Sequence, residues 1–87
     1  MEVVIVTQTD CHFCEMATEI LDRLRAEFGL KIHHIDLAGE DGKLIVQKFG
    51  LLFPPGILIG DELVSYGRPS ERKLRREFAK RLGRTTK

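Results

Sequence analysis

Two cysteines three residues apart are the residues of this chain best suited to chemistry. Cys11 and Cys14 lie where an apolar run at residues 3–6 gives way to a segment with helical spacing of apolar residues. A strand therefore delivers both thiols to a helix start, where unsatisfied N–H groups and the positive end of the helix dipole stabilise an anion. Cysteines in such positions have pKa values of roughly 3.5 to 7.5 rather than about 8.5. The pattern predicts dithiol–disulfide exchange, in which one thiolate attacks a disulfide and its neighbour releases it.

Three elements are predicted around this pair. A β-branched run predicts a first strand at residues 3–7, covered on both faces. A helix over about residues 12–28 follows and ends at Gly29, and residues 31–37 have the composition of a second strand. Because a strand, a helix and a strand at this spacing form a βαβ unit, the two strands should be parallel with a right-handed crossover.

The second half of the chain predicts a short helix, a hairpin and a last helix. Residues 38–42 are predicted to form a turn, followed by a helix at residues 43–49 that ends at Gly50. The apolar residues of that helix are Leu44, Ile45 and Phe49. The hairpin consists of a strand at residues 57–59, a turn at residues 60–62 and a strand at residues 63–66. Ser70 is predicted to cap the last helix, which runs to about residue 82. Its apolar stripe is Leu74, Phe78 and Leu82.

Length and composition indicate one small globular domain. The chain has 87 residues, 43% of them hydrophobic, which suffices for a single core. We expect residues 1–82 to form the domain and residues 83–87 to form a basic tail. No basic segment with an apolar stretch precedes the first strand, and no apolar run approaches membrane-spanning length. We therefore expect a cytoplasmic protein without membrane contact, and we expect it to be a monomer. Two cysteines in one turn do not fit a secreted scaffold held by disulfides.

Charge is distributed unevenly, although the formal net charge is only +1. Residues 1–69 carry six lysines and arginines against eleven acidic residues, whereas residues 70–87 carry eight against two. Such a basic segment can bind an acidic partner or nucleic acid, or it can be the solvated face of a last helix with a frayed tail. Because no aromatic or glycine-rich element accompanies the charges, we favour the solvated face and do not expect nucleic acid to be a partner.

The predicted order βαβαββα, with Cys-x-x-Cys at the first strand-to-helix junction, resembles the thioredoxin fold, and the size resembles its glutaredoxin-like branch. Cys-x-x-Cys also occurs in zinc sites, but here Pro55 stands ahead of the third strand, as in that family. The resemblance covers about residues 2–82. It implies an α/β fold with a four-stranded mixed sheet, order 2-1-3-4, flanked by helices, with the last two strands antiparallel to the first two. It also implies a cis Pro54–Pro55 bond with Pro55 against Cys11.

The same resemblance implies roles for individual residues. Cys11 is implied to be the nucleophile and Cys14 the resolving thiol of a redox-active disulfide. Pro54, Pro55 and the turn at Gly67 are implied to bind the substrate beside the cysteines. No metal and no cofactor apart from this disulfide are expected, with glutathione as the alternative small-molecule partner.

Four positions depart from the glutaredoxin pattern. Typical glutaredoxins have a lysine three residues before the first cysteine, where it meets a glutathione carboxylate, and here that position is Gln8. They read Thr-Val-Pro where this chain has Phe-Pro-Pro at residues 53–55, and Pro54 has no N–H to offer the glutathione backbone. His-Phe replaces the usual Pro-Tyr or Gly-Pro between the cysteines, and a single Gly67 replaces a double glycine. These changes predict that glutathione is a poor substrate while the thiol chemistry is intact.

Four side chains near the cysteines each have two interpretations. His12, when protonated, could lower the pKa of Cys11, or it could be an exposed variable residue. Phe13 could dock an apolar substrate or simply pack at the helix end. Asp10 could oppose ionisation of Cys11 as a like charge, but we expect it to cap the helix through its carboxylate. Arg68 could bind a substrate carboxylate, although a surface arginine before a proline needs no function.

A metal site and a catalytic base are the remaining candidates. His33 and His34 suggest a metal site with the cysteines, but His33 is predicted to lie about three residues before the end of its strand, roughly 10 Å from Cys11. We therefore expect these histidines to alternate on a half-exposed strand. Asp36 is a candidate base for Cys14, or it satisfies turn amides at the strand end.

These observations predict a small cytoplasmic dithiol–disulfide oxidoreductase that uses Cys11 and Cys14 to pass two electrons between a reductase and protein disulfides. Such a protein takes part in electron transport and cell redox homeostasis. The alternatives are a redox-inactive or regulatory thioredoxin-like module that docks an acidic partner, and a glutathione-dependent glutaredoxin.

Overall fold

The computed structural model describes residues 1–51 and 53–83. These residues form a four-stranded mixed sheet with helices on both faces. Its elements are β1 (Glu2–Thr7), α1 (His12–Phe28), β2 (Lys31–Asp36), α2 (Glu40–Phe49), β3 (Gly56–Ile59), β4 (Glu62–Tyr66) and α3 (Glu71–Arg81). The predicted order βαβαββα is confirmed, and each strand differs from its predicted limits by at most one residue at an end. Residues 84–87, most of the predicted tail, lie outside the described residues. No helix within residues 1–51 and 53–83 is long and apolar enough to cross a membrane.

The sheet has the predicted strand order β2-β1-β3-β4. β1 and β2 are parallel, with Val4 opposite His33, while β3 is antiparallel to β1. β4 is antiparallel to β3 and therefore runs in the same direction as β1. The expectation that both of the last strands oppose the first two is thus correct for β3 and wrong for β4, because a hairpin reverses the chain. As a consequence β1 and β4 end at the same edge of the sheet, where Cys11 and Gly67 follow them.

One face of the sheet is covered by α1 and α3. Val3 and Ile5 of β1 and Ile57 and Ile59 of β3 form the sheet side of this core. The helix side consists of Ala17, Ile20, Leu21, Leu24, Phe28, Leu74, Phe78 and Ala79. The three- and four-residue spacing of these side chains places them on one stripe of each helix. This core holds α1 in place, and with it the position of the cysteines.

The opposite face is covered by α2 in a smaller core. Val6, Leu58 and Leu51 are buried there. The half-buried residues of α2 that pack against them are Ile45, Val46 and Phe49. The prediction that Leu44 belongs to this apolar face is wrong: 62% of Leu44 is exposed. The helix phase that buries Ile45 and Phe49 points Leu44 away from the sheet, and Val46 packs instead.

α2 starts three residues earlier than predicted, because Glu40, Asp41 and Gly42 are helical rather than part of a turn. Two acidic residues in the first turn favour a helix start, since they complement the helix dipole. A β-carbon at Gly42 would clash with the carbonyl oxygen of Asp36 and would lie 2.7 Å from that of Leu37. Only glycine fits this close approach, so the residue that suggested a turn is the one that lets the helix begin there.

The predicted ends of α1 and of α3 are largely confirmed. Gly29 ends α1 in the left-handed conformation, with φ of 62°. Ser70 caps α3, and its hydroxyl oxygen accepts the N–H of Lys73 at 3.2 Å. α3 ends at Arg81, so Leu82 lies just beyond the helix and is 41% exposed. The apolar stripe that anchors α3 is therefore Leu74 and Phe78 without Leu82.

Candidate active site

Cys11 is the N-cap residue of α1. Its backbone is extended, and its sulfur accepts the backbone N–H of Cys14 at 3.1 Å. The prediction that the carboxylate of Asp10 caps this helix is wrong. Asp10 stands one residue too early and has φ of 55°, a left-handed conformation that aspartate tolerates better than most residues. Asp10 turns the chain, and the sulfur of Cys11 takes the place of the capping oxygen.

The two cysteines are joined by a disulfide and differ in burial. Their Cα atoms are 5.2 Å apart. Cys11 is half-buried, whereas only 4% of Cys14 is exposed. The N–H group of Cys14 points at the Cys11 sulfur, and the dipole of the 17-residue helix favours a thiolate at this point once the disulfide is reduced. The arrangement fits attack by Cys11 and resolution by Cys14, although the assignment of these roles remains a prediction.

An apolar groove of about 530 Å³ opens beside Cys11. The residues that line it are Gln8, Cys11, His12, Phe13, Phe53, Pro54, Tyr66 and Gly67. The structure thus brings together five of the predicted site residues, from α1, from the segment before β3 and from the turn after β4. The rings of His12 and Phe13 have centroids 6.2 Å apart, and both side chains are exposed.

Sequence reasoning missed two aromatic residues of this groove. Phe53 is 64% exposed and Tyr66 is 63% exposed, compared with 40% for Phe13. Each lies next to a predicted site residue, Pro54 or Gly67, and large exposed apolar side chains are the usual mark of an interaction site when they cluster. Their distance in sequence hid the cluster, because only the pairing of β3 with β4 brings Phe53 and Tyr66 to one groove.

Pro55 follows Pro54 in the chain but does not itself line this groove. The Pro54–Pro55 bond is cis, as predicted, and Pro55 is fully buried while Pro54 is half-buried in the groove wall. The carbonyl oxygen of Pro55 accepts the N–H of Gly67 at 2.9 Å. Gly67 has φ of 70°, so the turn after β4 needs a residue that adopts the left-handed region freely. Arg68 is exposed and lines none of the cavities at the cysteines.

A second cavity, which we call the acidic pocket, is lined by both cysteines of the disulfide. It has a volume of about 390 Å³. Its lining residues are Thr7, Gln8, Asp10, Cys11, Cys14, Glu15, Thr18 and Glu19. Thr18 donates its hydroxyl to the carbonyl oxygen of Cys14 at 2.9 Å, which ties the pocket wall to the first turn of α1. Cys11 and Gln8 line both cavities.

The histidines of β2, His33 and His34, line neither of these two cavities. His33 pairs with Val4 in the sheet, and its Nε2 lies 2.5 Å from Glu2 Oε1. The hydrogen bond with His33 lowers the pKa of Glu2. Asp36 Oδ1 accepts the N–H of Ala38 at 2.9 Å, which is the turn-amide role. Within residues 1–51 and 53–83, no group of three or more histidine, cysteine or acidic side chains is placed to hold a metal ion.

The chain is similar in sequence to proteins identified as probable thioredoxins. No protein-family model matches. A probable thioredoxin of Methanothermobacter thermautotrophicus is 33% identical over 76 residues, which cover 85% of this chain and 87% of that protein.

Solved structures agree with this relationship at the level of the fold. The glutaredoxin-like NrdH-redoxin of Escherichia coli superposes with a TM-score of 0.65 at 18% identity, over 86% of this chain and 93% of that one. A glutaredoxin of Archaeoglobus fulgidus superposes with a TM-score of 0.63 at 23% identity, over 85% and 82% of the two chains. With a disulfide at the start of its first helix, this chain belongs to the thioredoxin family and is a dithiol–disulfide oxidoreductase.

Proposed function

We propose that this chain carries two electrons from a reductase to disulfides of other proteins and makes little use of glutathione. The observation that carries the proposal is the contrast at the disulfide: Cys11 is half-buried beside a groove with three exposed aromatic residues, whereas 4% of Cys14 is exposed. An extended protein segment can cover such a groove, and apolar and aromatic contacts contribute most of the binding energy at interfaces of this kind.

The reaction consists of two exchanges. The Cys11 thiolate attacks one sulfur of the substrate disulfide, a mixed disulfide forms, and the first substrate sulfur leaves as a thiolate that takes up a proton. Cys14 then loses its proton and attacks the Cys11 sulfur, so the second substrate sulfur leaves. The substrate gains two electrons and two protons, and the protein is left with the Cys11–Cys14 disulfide. A dithiol reductase restores the reduced form by the reverse exchanges.

Two features of the groove argue against glutathione as the main substrate. Gln8 lines the groove where the glutaredoxin pattern has a lysine, so a charged contact to a glutathione carboxylate is missing. Pro54 also lines it and cannot donate a backbone hydrogen bond. Each missing hydrogen bond should weaken glutathione binding by about 0.5 to 3 kcal/mol. The Escherichia coli neighbour is a glutaredoxin-like protein with a thioredoxin-like activity profile. It supports the proposal that a glutaredoxin-like chain can act as a thioredoxin does.

The experiment compares the two substrate classes with one protein preparation. We expect the reduced protein to reduce insulin disulfides in the presence of dithiothreitol, and to reduce a small mixed disulfide only slowly with glutathione as the reductant. Iodoacetamide added near neutral pH should label Cys11 before Cys14. Robust glutathione-dependent turnover that saturates at millimolar glutathione would contradict the proposal, as would faster labelling of Cys14.

The cytoplasmic location and the monomeric state are also part of this proposal. The placement of the cysteines as a reactive pair fits a reducing compartment, where structural disulfides are rare. Size-exclusion chromatography with light scattering should give a mass near 9.9 kDa. A stable dimer would contradict the monomeric state.

A further inference from the structure

The disulfide is bounded by two walls of opposite character. One wall belongs to the apolar groove with Phe13, Phe53 and Tyr66, and the other belongs to the acidic pocket, which Cys14 also lines. Cys11 contributes to both. A molecule bound to the Cys11 sulfur therefore lies within reach of both walls, and the carboxylates of the acidic pocket have no part in the function proposed above.

Three carboxylates of the acidic pocket are not neutralised by neighbours. Asp10, Glu15 and Glu19 are exposed, and none of them forms an ion pair within the part of the chain that the structure describes. Arg23 is one helical turn from Glu19, but its guanidinium donates to Glu71 at 2.7 Å instead. The pocket therefore keeps its negative charge next to the reacting sulfurs.

The side chains of both walls supply little positive charge to offset these carboxylates. Among the described residues no lysine or arginine lines either cavity, and His12 is the one side chain there that can become a cation. The reacting disulfide, rather than the carboxylates, defines the site. The carboxylates fix the sign of the field that a charged substrate meets when it reaches this disulfide.

We propose that the acidic pocket makes the active site select disulfides that carry positive charge next to their sulfurs, such as a protein disulfide flanked by lysine or arginine. This inference rests on the proposed function and names the substrate class. Charges of opposite sign within a few ångströms attract, and a cleft lined by one sign of charge raises the local concentration of the opposite ion. Anionic disulfides, including oxidised glutathione, are repelled by the same field.

The test uses small symmetrical disulfides that differ in charge: cystamine is a dication, bis(2-hydroxyethyl) disulfide is neutral, and 3,3′-dithiodipropionate is a dianion. Protein reduced with dithiothreitol and then desalted is mixed with each disulfide. One turnover oxidises Cys11 and Cys14 to their disulfide and reduces the probe to two thiols, so electrons balance without a further reductant. Acid quenching, alkylation and mass spectrometry give the rate of protein oxidation. Dividing each rate by that of dithiothreitol with the same probe removes differences in intrinsic reactivity.

We expect the normalised rate for cystamine to exceed that for dithiodipropionate by about tenfold at low salt. In 1 M salt the ratio should fall toward one, because the Debye length is then about 3 Å instead of about 10 Å at 0.1 M. The double variant Glu15→Gln/Glu19→Gln should lower the ratio to about twofold, and Glu15→Lys/Glu19→Lys should invert it. The matched control Asp22→Asn/Asp61→Asn removes two charges outside both cavities and should keep the ratio of the unmodified protein.

The outcomes separate this inference from the proposed function. A ratio near one in the unmodified protein, or a ratio that the glutamine variant leaves unchanged, overturns the charge selectivity while reduction of the neutral probe still supports the proposed function. Failure to reduce the neutral probe and insulin overturns the proposed function itself. The salt dependence is measured on the unmodified protein, so the inference stays testable if a variant does not fold.

Discussion

At the N-terminal end of α1, Cys11 is half-buried and Phe13 is exposed, whereas at its C-terminal end Leu24 and Phe28 are buried against the sheet and α3. Charges follow the same division. The three carboxylates of the acidic pocket have no ion pairs in the described residues, while the C-terminal half forms ion pairs with α3.

The C-terminal pairs join two helices side by side. Arg23 contacts Glu71, and Arg75 contacts Glu27 and Glu71. The rings of Phe28 and Phe78 pack beneath them with centroids 5.7 Å apart. We call the N-terminal end of α1, with Cys11 and Phe13, the reactive end. We call its C-terminal end, with Leu24 and Phe28, the anchoring end. Packing of the last turns against α3 holds the helix in place, so the first turn can present exposed groups without ion-pair partners. Each half should therefore respond to its own kind of substitution.

The largest effect is expected at the reactive end, from the cysteines themselves. Cys11→Ser should lower the rate of disulfide reduction by at least about 1000-fold, since it removes the covalent nucleophile. Cys14→Ser should leave the first attack in place and accumulate a mixed disulfide between Cys11 and the substrate, which mass spectrometry detects. If Cys11→Ser instead accumulates a mixed disulfide through Cys14, the roles of the two thiols are reversed.

At the anchoring end the main effect should fall on stability. Leu24 is fully buried, so Leu24→Ala should lower the free energy of unfolding by about 2 to 5 kcal/mol, through lost apolar burial and the cavity left behind. Urea unfolding followed by circular dichroism measures this change. Leu82→Ala is a matched control, because that leucine is 41% exposed beyond α3 and should change stability by less than about 0.5 kcal/mol.

The rate of disulfide reduction then tests whether packing at the anchoring end affects the chemistry at the reactive end. The folded Leu24→Ala protein, assayed well below its unfolding midpoint, should reduce the neutral disulfide probe at close to the normal rate. A large loss of activity without unfolding would mean that packing at the end of α1 controls the reactive end.

The same division explains how much could be predicted from the sequence. The apolar spacing of α1 and α3 and the β-branched strands predict the fold, because burial periodicity depends on nearby residues. The predictions that were wrong concern positions that depend on contacts between distant segments or on a close approach of the backbone. The start of α2 is set by the contact of Gly42 with the backbone at Leu37, and the cap of α1 by the left-handed turn at Asp10.

The candidate site divides in a similar way. The cysteines and the proline turn could be predicted, because local motifs carry them. Phe53 and Tyr66 could not, since strand pairing alone places them beside Cys11. The acidic pocket was missed for a related reason. Asp10, Glu15 and Glu19 look like ordinary solvated charges until the ion pairs of the surrounding residues are known.

A smaller effect is expected from the aromatic groups at the reactive end. Phe53→Ala and Tyr66→Ala should each lower kcat/KM for a protein disulfide by about 5- to 30-fold, which corresponds to about 1 to 2 kcal/mol of lost contact at an interface. The neutral small disulfide should be affected much less, since it is too small to cover the groove. Leu44→Ala is the matched control, because this leucine is 62% exposed but lies on α2 and lines neither cavity. An equal loss for the small disulfide would place these residues in the chemical step instead of substrate binding.

The smallest effect concerns pH and the ion pairs at the anchoring end. The hydrogen bond from Arg23 lowers the pKa of Glu71 in the folded protein, with further attraction from Arg23 and Arg75. Because the folded pKa lies below the unfolded one, the ionised form contributes stability above the unfolded pKa of about 4.3. This contribution is lost as the pH falls through the folded pKa.

Glu71→Gln should therefore lower stability slightly at neutral pH, by much less than Leu24→Ala, since the group is exposed and solvent screens the pair. It should also reduce the loss of stability between about pH 5 and pH 3. Urea midpoints measured across this range check both expectations, with Glu19→Gln as a control, because Glu19 is exposed, lies past the first turn of α1 and has no ion-pair partner within the described residues. If Glu71→Gln leaves the acid limb as steep as in the unmodified protein, the pair between α1 and α3 does not stabilise the anchoring end, and apolar packing accounts for its stability.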